Sequence, residues 1–170
     1  MNHKTKEYLL GITIGLIMGI LFFSKIIFAA PVEEVEIPEE IEFWCEYYGK
    51  QYDICPETLE AMCWVESRCT PSAQSADKSC KGLMQVKPSC HKKRMDRLGV
   101  RNIFGVWENI KTGTDYLAEL RGDAPDIAEA LYLYNGNATG AERYKKTKEV
   151  TGYAKKVLDI SEELEEKHGK

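Results

Sequence analysis

Residues 56–85, PETLEAMCWVESRCTPSAQSADKSCKGLMQ, contain a short amphipathic helix followed by a polar loop. Pro56 suits the first position of a helix, and Leu59, Met62 and Cys63 then recur at the spacing of one helical face. Glu66 continues that apolar face. A carboxyl group in such a place is either half-exposed at the edge of the core or an acid that burial keeps protonated. The spacing alone leaves both interpretations open.

Three further motifs follow this helix in a recognisable order. Glu66-Ser67 is followed by Gly-Leu-Met-Gln at residues 82–85, by Leu-Tyr-Asn-Gly at residues 133–136 and by Tyr153, with NIKTGTDYL at residues 109–117 in between. Together they resemble the catalytic domain of lytic transglycosylases of the soluble-lytic-transglycosylase type, in the goose-lysozyme-like superfamily. The resemblance covers residues 43–160 and implies a lysozyme-like domain with a glycan-binding groove.

Cleavage of a β-1,4 glycosidic bond needs a proton for the leaving oxygen and stabilisation of an oxocarbenium-like centre. Most glycosidases use two carboxylates, but Asp77, Asp115 and Asp126 all lie outside the motifs. The resemblance implies that Glu66 alone acts first as acid and then as base. In this family the C6 hydroxyl of the sugar attacks the anomeric carbon with help from the N-acetyl group. The expected product is a 1,6-anhydro-muramoyl end.

The function expected from this resemblance is that of a peptidoglycan lytic transglycosylase, an enzyme without a metal or cofactor. It would cleave between N-acetylmuramic acid and N-acetylglucosamine. Two alternatives remain open, a goose-type lysozyme-like hydrolase that uses water and a peptidoglycan-binding module without activity. A binding module would not need a buried acid, so the motifs favour an enzyme.

The resemblance also implies substrate-binding residues in the first two motifs. Ser67 is expected to be a polar contact near the cleavage point. Gly82 would let the backbone approach the sugar closely. Met84 would line a pocket for an N-acetyl group, and Gln85 would form hydrogen bonds with the glycan.

The last two motifs imply three more site residues. Asn135 would contact an amide of the substrate beside Tyr134, and the Tyr153 phenol would form a hydrogen bond with the catalytic carboxyl. Packing in the core is the alternative role for each tyrosine. The sequence departs from the family at Leu133, where Ala is common, and at residues 136–140, which replace a Gly-Pro-Gly turn. These departures affect the substrate subsites rather than the acid.

The N-terminus indicates export. Residues 1–30 combine early lysines with a long apolar stretch, which fits a cleaved signal peptide or a membrane anchor. Either would place the remainder outside the cell membrane, secreted or anchored facing the cell wall. Residues 31–41 are rich in Glu and predict a solvated acidic linker, and residues 42–170 are the expected catalytic domain.

Charge limits the partners of the exported part. Residues 31–170 hold 20 basic and 26 acidic groups, a net charge of −6. Binding to nucleic acid needs a positive footprint, so peptidoglycan strands are the expected partner. The sequence leaves open whether the protein serves a phage, a secretion or conjugation assembly, or cell-wall turnover.

All six cysteines lie between residues 45 and 90. An even number in an exported chain favours three disulfides, and Cys69 with Cys80 would close the loop between Glu66 and Gly82. Cys63, on the apolar face, could instead be a buried free thiol. A zinc site lacks the usual ligand spacing.

The apolar periodicity is helical almost throughout and predicts an all-α single domain. Helices are expected at residues 41–48, 56–67, 110–121 and 126–134, and a last one carries Tyr153, Val157 and Leu164.

Overall fold

The structure, a computed structural model, describes residues 34–122, 124 and 126–170. The predicted export segment, residues 1–30, and the first residues of the predicted linker lie outside these. In the part of the chain that is described, no helix is both long and apolar enough to cross a membrane.

The described residues form seven helices and no sheet, which confirms the predicted all-α fold. In chain order they are α1 (Glu39–Tyr52), α2 (Pro56–Ser67), α3 (Pro88–Leu98), α4 (Val106–Gly122), α5 (Ile127–Tyr134), α6 (Ala138–Thr147) and α7 (Gly152–Lys167). Two isolated antiparallel bridges, Gln74 to Lys81 and Lys81 to Val86, hold the loop between α2 and α3.

Helix α2 lies at the centre of the domain, packed against α1 on one side and α7 on the other. Leu59, Met62 and Cys63, which predicted its apolar face, are completely buried. Helix α1 also packs on α4, and α5 contacts α4, α6 and α7. Burial of α2 on several sides fixes the end of the helix that carries Glu66.

The compact unit begins at Val35, earlier than the predicted domain start. Val35 and Ile41, both within the predicted acidic linker, are buried in the core. The acidic residues Glu39 and Glu40 between them are exposed at the start of α1, where the positive end of the helix dipole favours them. Part of the acidic segment is thus the first turn of a helix.

Two helices, α3 and α6, were not predicted from the sequence. Helix α3 has no buried residue and reads PSCHKKRMDRL, so it has no continuous apolar face to detect. Its start at Pro88 and its end before Gly99 are the remaining signals. Helix α6 begins at Ala138, and the preceding Asn137 caps it by accepting a hydrogen bond of 2.9 Å from the Gly140 amide.

The cysteines differ from the prediction of three disulfides, since all six are free thiols in the structure. Cys45, Cys63 and Cys69 are buried together in the core, where Cys45 and Cys63 share a hydrogen bond. The predicted pairing of Cys69 with Cys80 is not formed, because the chain turns Cys69 inward towards Cys63. No group of three or more potential metal ligands occurs within the described ranges.

Glu60 lies on α2, away from the end that carries Glu66, and is 2% exposed. Its Oε2 atom has no hydrogen-bond partner among the residues described. Burial raises the pKa of Glu60 to about 7, and the nearby Glu57 adds to the shift. The native state therefore holds this proton more tightly than the unfolded chain does, and stability falls as the pH rises towards 7.

We expect Glu60→Gln to stabilise the protein at pH 8, where the native carboxyl is ionised, by about 1–3 kcal/mol. At pH 4, where the carboxyl is protonated in both states, the effect should be close to zero. Thermal unfolding at the two pH values measures the difference. Glu163→Gln, at an exposed position on α7, is the matched control and should show no such pH dependence. An equal gain in both proteins would contradict the assignment to Glu60.

Candidate active site

Glu66 is the penultimate residue of α2, and its side chain is only partly exposed. Burial raises the pKa of its carboxyl above the usual range, and contact with the Tyr153 phenol opposes the shift only in part. The negative end of the helix dipole also disfavours the carboxylate. Glu66 is therefore held ready to donate a proton nearer to neutral pH than an ordinary Glu would be.

Two phenols lie beside this carboxyl. Tyr153 lies in the first turn of α7. Its Oη is buried and forms no hydrogen bond of ordinary geometry with any described residue. It nevertheless approaches Glu66 closely enough to lower the pKa of the acid. Tyr134, the last residue of α5, donates a hydrogen bond of 2.9 Å to the Met84 carbonyl. Burial, and then the charge of Glu66, raise the pKa of both phenols, so both remain proton donors.

Ser67 joins α2 to the loop at residues 82–85. Its Oγ lies 2.9 Å from the carbonyl oxygens of both Cys63 and Leu83. It also accepts a hydrogen bond of 3.3 Å from the Thr70 amide. The hydroxyl predicted to contact substrate is thus already engaged in fixing the loop next to Glu66.

Asn109 of α4, which the sequence reasoning did not assign to the site, holds the other side of this loop. Its Oδ1 accepts a hydrogen bond of 2.8 Å from the Met84 amide. Its Nδ2 donates to the carbonyls of Lys81 at 2.9 Å and Ile103 at 2.7 Å. A completely buried Asn with three backbone partners acts as an internal clamp.

The contact with Asn109 requires a glycine at position 82. Its φ is +78°, in the left-handed region, and an added Cβ would lie 2.1 Å from Nδ2 of Asn109. Close approach between the Gly82 backbone and the Asn109 side chain is what the structure shows at this position. The approach of a sugar, expected from the resemblance, stays a prediction.

The side chains of Met84 and Gln85 have different environments. Met84 is completely buried and packs on Gly113, where an added Cβ would meet its Sδ at 2.5 Å. In this conformation its side chain belongs to the core. Gln85 is partly exposed, with a φ of 47°, and its Nε2 donates a hydrogen bond of 2.8 Å to the Gly82 carbonyl.

Asn135 is exposed directly after α5. Its amide side chain takes part in none of the hydrogen bonds found between described residues, so both its donor and its acceptor are available. The next residue, Gly136, turns the chain with a φ of +73°. The phenol of Tyr134 therefore points inward, and the amide of the adjacent Asn135 points outward.

The three acidic residues outside the motifs already have hydrogen-bond or ion-pair partners away from Glu66. Asp115 is bound by Arg94 and Arg97, each at 2.6 Å. Asp126 caps α5 through the Glu129 amide at 3.0 Å and also accepts from Tyr144. Asp77 accepts hydrogen bonds from Ser75 and Ser79 within its own loop.

The sequence of this chain is similar to those of known proteins. A curated protein named "Transglycosylase", from Enterobacteria phage PRD1, is 30% identical over 120 residues. The match covers 69% of this chain but only 43% of the phage protein, less than half of its length. Residues 44–157, well over half of the chain, match the family described as the transglycosylase SLT domain. The chain therefore belongs to the transglycosylase SLT domain family.

Proposed function

We propose that the protein is a peptidoglycan lytic transglycosylase that cleaves between N-acetylmuramic acid and N-acetylglucosamine and leaves 1,6-anhydro-muramoyl ends. The observation that carries the proposal is Glu66, a partly buried acid of raised pKa at the end of α2. Membership of the SLT family supports the same substrate and bond. Asp77, Asp115 and Asp126, each held by other partners, offer no free second carboxylate.

In the first step of this mechanism Glu66 donates its proton to the leaving glycosidic oxygen as the C1–O bond breaks. The resulting carboxylate then takes the proton of the C6 hydroxyl while that oxygen bonds to the anomeric carbon. The acid regains its proton, and no water is consumed. Tyr153 would hold the carboxyl in one orientation during both transfers.

The substrate contacts follow the positions of the loop and of α5. Asn135, exposed with a free amide, is suited to a substrate amide, and Gln85 to a sugar hydroxyl. Ser67, Gly82 and Met84 are best assigned a supporting role, in which they hold the backbone of the loop at residues 82–85. Tyr134 fixes the Met84 carbonyl in this arrangement.

We also propose that the domain works outside the cell membrane, either secreted or held by the apolar N-terminal segment. Its substrate, the cell wall, is found there, and the acidic character of residues 31–170 suits no nucleic-acid partner. The similarity to a phage transglycosylase supports local opening of the wall by a phage or a related assembly.

The test is incubation of the purified protein with isolated peptidoglycan, followed by mass spectrometry of the released fragments. Lytic transglycosylase activity gives muramic ends lighter by one water than those of a lysozyme digest. Fragments with ordinary reducing ends would identify a hydrolase instead. Binding without any release of fragments would identify a non-catalytic module.

We expect Tyr153→Phe to lower kcat about tenfold, equivalent to ~1.4 kcal/mol, while KM changes little. The phenol lowers the pKa of Glu66, so its loss should shift the alkaline limb of the pH profile to higher pH. Steady-state kinetics across pH measure both effects. Normal turnover with only a lower melting temperature would show that Tyr153 is a packing residue.

A further inference from the structure

Positive charge is concentrated in one segment of this acidic chain. Residues 68–101 contain nine basic and two acidic residues, although the whole chain has a net charge of −4. We call this the basic segment. It comprises the loop beside Glu66 and the polar helix α3, which has no buried residue and packs on α4. Met95 and Leu98 of this helix pack at the edge of the core, and Lys92, Lys93 and Arg97 are exposed to solvent.

The basic segment lines an open cleft of about 390 Å³. Its walls are Cys90, His91, Lys93, Arg94, Arg97 and Glu119. Burial, and then the charge of Arg94, lower the pKa of His91, so its ring adds no charge at neutral pH. The charged groups are therefore three cations and Glu119, with the buried Asp115 beneath them.

Not all of these cations are committed to internal partners. The Arg94 side chain is 9% exposed and is bound by both Asp115 and Glu119. Arg97 shares Asp115, but its side chain is 59% exposed. Lys93 is exposed and forms no ion pair with any residue that the structure describes. The cleft thus has one largely enclosed, fixed cation, Arg94, behind two accessible ones, which suits a small anion such as a carboxylate.

A row of aromatic rings joins this cleft to the catalytic acid. The Tyr134 ring, beside Glu66, lies 5.2 Å from the ring of Tyr116. The Tyr116 ring lies 4.4 Å from the His91 ring, and the Arg94 guanidinium lies 4.9 Å from the centroid of the Tyr116 ring. The cleft and the acid are therefore separated by only a few side chains. A peptide of three residues, extended, spans about 10 Å.

From this arrangement we propose that the cleft lined by Lys93, Arg94 and Arg97 binds a carboxylate of the peptide attached to the muramic acid. The inference rests on the proposed function. Removal of the peptide leaves a carboxylate on the lactyl group, directly on the sugar. An attached peptide instead carries carboxylates further from the sugar, within reach of a cleft that several side chains separate from Glu66. The protein should therefore prefer strands that bear peptides, and the preference should weaken with added salt.

The experiment compares two substrates with the full-length protein. One is purified glycan strands with their peptides, and the other is the same strands after an amidase has removed the peptides. The variants are Lys93→Ala and Lys93→Glu, both at an exposed helical position where unfolding is not expected. Lys146→Ala, at an exposed position of α6, is the matched control. Rates of fragment release give kcat/KM for each pair.

On peptide-bearing strands we expect Lys93→Ala to lower kcat/KM about three- to fivefold and Lys93→Glu to lower it further. On peptide-free strands both variants should match the unaltered protein, and Lys146→Ala should match it on both. Equal losses on the two substrates, as expected if the cleft bound the glycan or its lactyl carboxylate, would overturn the proposal. So would no change in any variant.

The results that would refute the proposed function differ from those that would refute the peptide preference. A protein that cleaves neither substrate would refute the enzyme assignment, whereas equal cleavage of both would refute only the peptide preference. Co-sedimentation of Glu66→Gln protein with the two kinds of strand measures the preference without turnover. Stronger sedimentation with peptide-bearing strands, reduced by Lys93→Glu, would support the cleft even without activity, and equal sedimentation would refute it.

Discussion

Glu66→Gln protein should fold normally and lose activity on peptidoglycan by roughly 10²–10⁴-fold, the usual contribution of general acid catalysis. Gln keeps the size of the side chain but has no proton of suitable acidity for the leaving oxygen. The loss should appear in kcat, because the amide still fills the same place beside Tyr153 and Tyr134. Fragment release from purified strands measures it.

The matched control for this variant is Glu60→Gln, a second buried carboxyl on the same helix. It removes a carboxyl of raised pKa away from the site, so kcat should remain near that of the unaltered protein. Retention of near-normal turnover by the Glu66→Gln protein would place the acid elsewhere. Equal loss in both variants would indicate damage to α2 rather than to the chemistry.

The second large effect is expected at Asn109. Asn109→Ala removes three hydrogen bonds and leaves the Met84 amide and the carbonyls of Lys81 and Ile103 without that partner. Each unsatisfied buried group costs about 1–3 kcal/mol, and water entering the gap will recover part of this. We expect the free energy of unfolding to fall by about 2–5 kcal/mol. Activity should also fall, because the loop beside Glu66 loses its anchor on α4.

Urea unfolding of both proteins measures the change, with Asn135→Ala as the control for stability. Asn135 is exposed and its side chain forms no hydrogen bond with the described residues, so its removal should change stability by less than about 0.5 kcal/mol. Similar stability losses in the two variants would show that the clamp at Asn109 contributes little.

The central part of the fold could be predicted because its signals are local. Pro56 starts α2, the apolar spacing from Leu59 continues it, and the helix ends at Ser67 as expected. The same spacing placed Glu66 at the edge of the core, where burial raises its pKa. Periodicity identifies which face is inward wherever the apolar residues form a continuous stripe.

The remainder depends on tertiary contacts that leave no local pattern. Asn109 reads as an ordinary polar residue of a helix, and only the approach of the loop at Gly82 shows it to be a buried clamp. Cysteine pairing could not be settled by counting, since Cys69 is buried beside Cys63 and all six cysteines are free thiols. Helix α3 was missed because only Met95 and Leu98 pack at the edge of the core, so its sequence shows no continuous apolar stripe.

In the proposed mechanism one acid, Glu66, transfers the proton while the sugar supplies its own nucleophile. The most direct test is digestion of peptidoglycan in water labelled with heavy oxygen, with mass spectrometry of the new muramic ends. We expect 1,6-anhydro ends that contain no labelled oxygen, because water does not take part in the proposed reaction. Muramic ends that have gained one labelled oxygen would show that water is the nucleophile and would rule out attack by the C6 hydroxyl.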